Sequence, residues 1–207
     1  KDSTLKREIL EQPDVLRRLL KAERDNVAEI GAVIRARRPR YVMIAARGTS
    51  DNAARYGQYL FGAFNRLPVA LATPSLFTQY DKPPVIDDAL VIGISQSGET
   101  PDILEVVQEA REQGAHTLGI TNTVDSPLAE ASEHTIYLNA GEEVSIGATK
   151  TYTTSLMALA MLSAALAEDQ ARFDTLALVP DYVAEVTTSA AELIASTERY
   201  RYMEACV

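Results

Sequence analysis

Ile94-Ser95-Gln96-Ser97-Gly98-Glu99-Thr100-Pro101 breaks an apolar run, Ala89 to Ile94, with hydroxyls at 95, 97 and 100, an amide at 96 and a glycine at 98. Pro101 then opens a helical pattern through Asp102, Ile103, Leu104, Val106, Val107 and Ala110, which Gly114 closes. Proline at the first helical position and glycine just past the last are the asymmetry that helix ends impose. The segment reads as a buried strand, a tight hydroxyl-rich turn and a helix. Such a turn aims backbone N–H groups, the positive end of a helix dipole and side-chain hydroxyls at one point, which suits a phosphate dianion.

Upstream, Tyr41 to Ala46 is a second fully apolar run, the mark of a central parallel strand. It ends in Arg47-Gly48-Thr49-Ser50-Asp51-Asn52, and a helix follows through Tyr56, Tyr59, Leu60 and Phe64. Leu67 to Leu71 reads as a short strand, Ser75 to Tyr80 as a helical turn or two, and Lys82-Pro83-Pro84 as a loop. Downstream come a strand over Ala115 to Thr121, a short helix from Ser126-Pro127 and a strand over His134 to Asn139. This alternation predicts an α/β fold: a doubly wound, five-stranded parallel sheet flanked by helices, flavodoxin-like, with right-handed crossovers. The strand order 2-1-3-4-5 makes the first and third strands neighbours, and ligands then bind beyond their carboxyl ends, where both hydroxyl turns sit.

Ser3 to Arg38 is an N-terminal helical arm with a break expected near Gln12-Pro13 and with Arg35 to Arg38 at its end, where cations are favoured. Gly141 to Lys150 is a polar loop containing Glu142, Glu143, Ser145 and Thr149. The helix after it, Thr151 to Glu168, carries no charge before Glu168. A helix apolar all round must be covered on most faces, and a sheet covers one, so a second domain or subunit is expected over the rest. A further helix is expected over Tyr182 to Thr197, then a strand over Tyr202 to Val207 whose lack of a successor implies that the natural chain continues.

At 207 residues the chain holds one generous domain, or one domain and part of another. A net charge of −9 and the lack of any basic run argue against a nucleic-acid surface. Leu156 to Ala167 is too short to span a bilayer, and Lys1-Asp2-Ser3-Thr4 does not resemble a signal peptide, so no membrane partner and a cytoplasmic location are expected. With Cys206 the sole cysteine, no internal disulfide can form; it reads as a small core residue. His116 and His134 sit at strand starts, away from the turns, and form no metal-ligand cluster. Gly48 and Gly98 lack the Gly-x-Gly-x-x-Gly frame of a dinucleotide site, so no cofactor is expected. Tyr56 and Tyr59 read as packing residues. Glu142-Glu143 reads as solvated loop, with orientation of Lys150 or the loop as the alternative. Ser-x-Ser-x-x-Thr by itself is also a set of helix caps; what favours a ligand is two such turns on central strands.

Taken in order, Arg47-Gly48-Thr49-Ser50, Ile94 to Thr100, Ile120-Thr121-Asn122 with Ser126-Pro127-Leu128-Ala129, and Ala140-Gly141-Glu142-Glu143 through Ala148-Thr149-Lys150 resemble sugar isomerase (SIS) domains, in particular those in the isomerase half of glucosamine-6-phosphate synthase. Lys6-Arg7-Glu8-Ile9 with Glu11-Gln12-Pro13 resembles the helical lead-in of that half. The family carries two SIS domains in tandem. The resemblance implies an arm over 1–38, a first SIS domain over 39–170, and over 171–207 a linking helix with the opening strand of a second. It implies that Ser50, Ser95, Gln96, Ser97 and Thr100 hold a hexose phosphate, that Ile146, in a position more often Val, closes over the sugar, and that Gly48 and Thr49 assist. Hydrogen bonds to a charged phosphate contribute roughly 1.5–3 kcal/mol each, so no arginine cluster is required.

The implied activity is an isomerase, aminotransferase or deaminase acting on fructose-6-phosphate, glucosamine-6-phosphate or a fructosamine phosphate, in a homodimer. The alternative is a non-catalytic phosphosugar sensor. The family's acid–base residues lie in the second SIS domain and C-terminal tail, so the catalytic residues of this sequence stay unassigned. Glu143 and Lys150, beside the site loop, read as structural. No part of the chain matches the glutaminase domain or its N-terminal cysteine nucleophile.

Overall fold

Ala89–Ile94, apolar throughout, forms β3 at the centre of the sheet, every residue buried. A computed structural model describes residues 3–80, 82–189, 195–197, 200, 202 and 203 of the chain. Around β3 lie β1 (Tyr41–Ala46), β2 (Val69–Leu71), β4 (His116–Thr121) and β5 (His134–Tyr137). All pairs are parallel and the order is β2-β1-β3-β4-β5, as the alternation of strands and helices predicts. The register places Met43 beside Val91 and Ile92 beside Leu118.

Side chains alternate across each strand, and the two faces fill two cores. Val42, Ile44, Leu90, Ile92 and Leu118 pack beneath α1 (Thr4–Arg37), α2 (Thr49–Leu60) and α6 (Lys150–Leu166). Met43, Ala45 and Val91 face α3 (Ser75–Thr78), α4 (Pro101–Glu112) and α5 (Pro127–Ala131). A π-helical turn, Phe61–Asn65, extends α2, and α7 (Gln170–Leu176) and α8 (Val179–Thr188) follow α6.

Several expectations need correction. The arm does not break at Gln12-Pro13: α1 runs through Pro13. Proline removes the N–H that would bond the carbonyl four residues back, here Ile9. Gln12 Nε2 donates to that oxygen at 3.0 Å and restores the missing bond. Nor does α6 await another domain for cover. The chain's own α1 supplies it, so closely that a Cβ on Gly31 would stand 2.7 Å from Ala165 Cβ, and Met157, Leu159 and Leu162 share a core with Leu16, Leu19 and Ile34. The 34-residue arm is thus more than a lead-in: it forms a layer over α6. Tyr59 is 82% exposed and packs little, because it falls on the outer face of α2.

Helix α8 begins at Val179 and ends at Thr188, short of the expected Thr197, although residues 195–197 are again helical. Of the strand expected over 202–207, Tyr202 lies in a turn and Met203 in neither helix nor strand; the remainder, with Cys206, falls outside the described residues. His116, at the start of β4, is buried and its Nδ1 lies 2.9 Å from Glu133 Oε2, a satisfied core histidine on that side. Among the described residues no helix is long and apolar enough to cross a membrane, and no group of three or more potential metal ligands occurs.

Candidate functional site

Because β1 and β3 are neighbours with Ala46 opposite Ile94, the residues that follow them leave the sheet side by side. The first turn needs Gly48, whose φ of 58° and ψ of −130° suit a residue without a side chain. The second needs Gly98. Its φ is +70°, and a Cβ there would fall within 2.5 Å of Ser126 Cβ and 2.9 Å of Thr121 Oγ1. Gly98 is thus wedged against the β4–α5 connection, and Leu128 N donates to its carbonyl at 3.0 Å.

Between the turns and the start of α6 lies a solvent-open cavity of about 230 Å³. Thr49, Ser50, Ser95, Gln96, Ser97, Thr100 and Ile146 all line it, and Gly48 stands in the turn beside it. Ser95 is buried, 4% exposed, and its hydroxyl works inside the turn. It accepts the Gly98 N–H at 3.1 Å and lies 2.9 Å from Thr100 Oγ1. Thr100 precedes α4 without capping it, since its hydroxyl is turned to Ser95. Ser97 accepts the Glu99 N–H at 3.2 Å, which leaves its own proton to donate outward. The Gln96 carbonyl is occupied by Asn122 N at 3.0 Å and Thr121 Oγ1 at 3.2 Å, and its exposed side-chain amide is directed by neither.

The charge at the site is already balanced. Arg47 lines the cavity but binds Asp102 of α4, Nε to Oδ2 at 2.9 Å, and Asp51 of α2 accepts from Arg55 Nε at 3.1 Å. The remaining attraction for an anion comes from hydroxyls and from the N-termini of α2 and α4.

Sequence reasoning missed the fourth wall: Ala148, with Thr151, Tyr152 and Ser155 from the first turns of α6. Hydroxyls at 151 and 155 recur at the i, i+4 spacing of one helix face, a signal masked by the lack of any charge from Thr151 to Ala167. Of the two expectations for Glu143, solvated loop or a structural role in orienting the loop, the contacts match the second. It accepts Thr149 N at 2.9 Å, Thr149 Oγ1 at 3.0 Å and Thr151 N at 3.3 Å, along with the Thr151 hydroxyl, and so closes the N-terminus of α6. Glu142 is exposed as expected. Lys150 is structural: it is 4% exposed and its Nζ lies 2.6 Å from Glu11 Oε2.

A doubly wound sheet with a cavity at its topological switch point defines an α/β domain whose opening lies where such folds take small molecules. The chain belongs to the SIS domain family, whose model matches residues 37–165. Glutamine–fructose-6-phosphate aminotransferase (isomerizing) of Thermus thermophilus is 38% identical over 161 residues, covering 76% of this chain and 26% of the relative. The enzyme of that name from Aquifex aeolicus is 36% identical over 195 residues, 94% of this chain and 32% of its own length. A Silicibacter pomeroyi protein assigned as a phosphosugar isomerase superposes with a TM-score of 0.86 at 40% identity, over 89% of this chain and 56% of the other. The chain thus spans about a quarter to a third of the length of these curated relatives.

Proposed function

We propose that the cavity binds the phosphate and adjoining hydroxyls of a hexose-6-phosphate, as the first SIS domain of an isomerase, aminotransferase or deaminase acting on fructose-6-phosphate or glucosamine-6-phosphate. The observation that carries this reading is the meeting of Ser50 and Thr49 from one turn with Ser97 and Thr100 from the other around one opening. Family membership and the names of the aminotransferase relatives support the substrate class. Gln96 both donates and accepts, which matches sugar hydroxyls, and Ile146 and Ala148 offer apolar cover.

Aldose–ketose isomerisation requires a base to move a proton between adjacent carbons and an acid to open the ring. The ionisable residues lining the cavity are Arg47, which is held by Asp102, and Tyr152; among the described residues the lining contains no carboxylate, lysine or histidine. In this reading the cavity binds, and proton transfer is done by groups outside it. The same lining favours a second reading, a non-catalytic phosphosugar sensor. Isomerisation of fructose-6-phosphate by the natural protein separates the two.

The proposed organisation is an arm over 1–38, the first SIS domain over 39–170 and, over 171–207, a linker with the opening of a second SIS domain, in a cytoplasmic homodimer joined through the arm. Monomer mass in light scattering at micromolar concentration contradicts the dimer. Calorimetric titration with fructose-6-phosphate, glucosamine-6-phosphate and the parent sugars tests the site: binding only of the phosphorylated sugars supports it, and equal or absent heat for both sets removes it.

A further inference from the structure

The loop from Gly141 to Thr149 has no helix or strand, yet it carries two walls of the cavity, Ile146 and Ala148. Its ends are fastened locally. Asn122 clasps the start, with Nδ2 to Gly141 O and Ala140 N to Oδ1 both at 2.8 Å, and Glu143 binds the end through Thr149 and Thr151. Its middle is fastened from far away in the sequence. Glu8 of α1 accepts Val144 N at 2.7 Å and Ser145 N at 3.2 Å, and Glu11, on the same helix face, pairs with Lys150 at 2.6 Å.

These carboxylates are the main business of the first turns of α1. The residues it buries before Val15 are Glu8 and Pro13, so this part of the helix contributes no aliphatic core. Glu8 is 2% exposed. A buried carboxylate is costly unless its oxygens are filled, and here backbone N–H groups of an irregular loop fill them. Ile146 follows directly on the two amides held, and its side chain is fully exposed. The carboxylate bonds lie immediately before it in the chain and hold the backbone from which it reaches the cavity mouth.

From this geometry we infer that Glu8, assisted by Glu11, is a positioning residue that holds the 141–149 loop as a wall against the sugar part of the ligand, coupling the N-terminal arm to the site. The inference rests on the sugar-phosphate reading above and adds to it a division of labour. The hydroxyl turns take the phosphate and, through Gln96, adjoining hydroxyls, and the arm-held loop covers the rest of the sugar.

The test uses the 207-residue chain and its Glu8→Ala, Glu8→Gln and Glu11→Gln variants. Amide hydrogen exchange at Val144 and Ser145 reports the grip, calorimetry with fructose-6-phosphate reports the wall, and phosphorus NMR with inorganic phosphate reports the turns. The expected result for Glu8→Ala is loss of protection at both amides and about tenfold weaker fructose-6-phosphate binding, with inorganic phosphate binding unchanged. Glu8→Gln, which keeps one acceptor oxygen, recovers part of each. Unchanged protection, or lost protection with unchanged sugar-phosphate affinity, overturns the inference. Should Glu8→Ala not fold, the half-exposed Glu11→Gln decides by the same readouts. Failure of the unaltered chain to bind fructose-6-phosphate overturns the reading of the cavity instead, while the exchange data still judge the grip.

Discussion

The hydroxyls of Ser95 and Thr100 lie 2.9 Å apart, the first buried and the second at the edge of the cavity. Ser95 Oγ already accepts the Gly98 N–H. If it donates its proton to Thr100, both of its roles are satisfied and Thr100 is left to donate into the cavity. The pair relays the order of the turn to the ligand. Ser95→Ala is therefore expected to cost both stability, about 1 kcal/mol for the hydroxyl's lost bonds to Thr100 and to the Gly98 amide, which keeps the Ser95 carbonyl as acceptor, and ligand affinity. Ser97→Ala is expected to cost affinity alone. Thermal melts of the two variants with and without fructose-6-phosphate check the contrast.

Gly98→Ala adds a methyl group where φ is +70° and where Ser126 and Thr121 leave no room. Left-handed backbone and overpacking together predict a loss of about 3 kcal/mol or more, read as a shift in denaturant midpoint. Gly62→Ala, with nothing within 4 Å of the new Cβ, is the control and is expected to stay close to the parent.

Two groups give the chain separate acid sensitivities. Burial, then Arg37, pushes His116 below the ordinary histidine range. A folded-state value below the unfolded one means that protons favour unfolding, so stability is expected to fall as pH drops through about 6.5. His116→Asn is expected to flatten that part of the stability–pH curve. The Ser145 hydroxyl and the Val144 amide hold Glu8 below the ordinary carboxylate range. Its contribution is complete above the unfolded value, about 4.3, and is lost as pH falls through the lower folded value. Exchange protection at Val144 and Ser145 is expected to persist through the histidine transition and to vanish only in stronger acid.

Gln12 and Pro13 form a coupled pair. Gln12→Ala leaves the Ile9 carbonyl without its substitute donor and is expected to cost about 0.5–1 kcal/mol, since that carbonyl is part-exposed. In a Pro13→Ala background the backbone supplies the bond and the cost is expected to disappear. A double-mutant cycle in urea measures the difference.

Much of this molecule was legible because its signals are local. The apolar runs at 41–46 and 89–94 mark central strands, Pro101 marks a helix start, and parallel pairing then puts the Ser50 and Ser97 turns together. What escaped depends on contacts distant in sequence. Nothing near Pro13 announces that Gln12 will repair the helix, and nothing near Glu8 announces a loop more than a hundred residues away. The hydroxyls of Thr151 and Ser155 escaped for another reason. In a helix without charges they looked like part of the core, and both are indeed buried, at 3% each, while still lining the cavity.

The central claim is that uncharged donors from two neighbouring strand ends receive one doubly charged group. Calorimetric titration of fructose-6-phosphate into Ser97→Ala and Thr100→Ala tests it most directly. The account predicts that each substitution weakens binding about tenfold, near 1.4 kcal/mol. Affinity equal to that of the unaltered chain in both variants would contradict it.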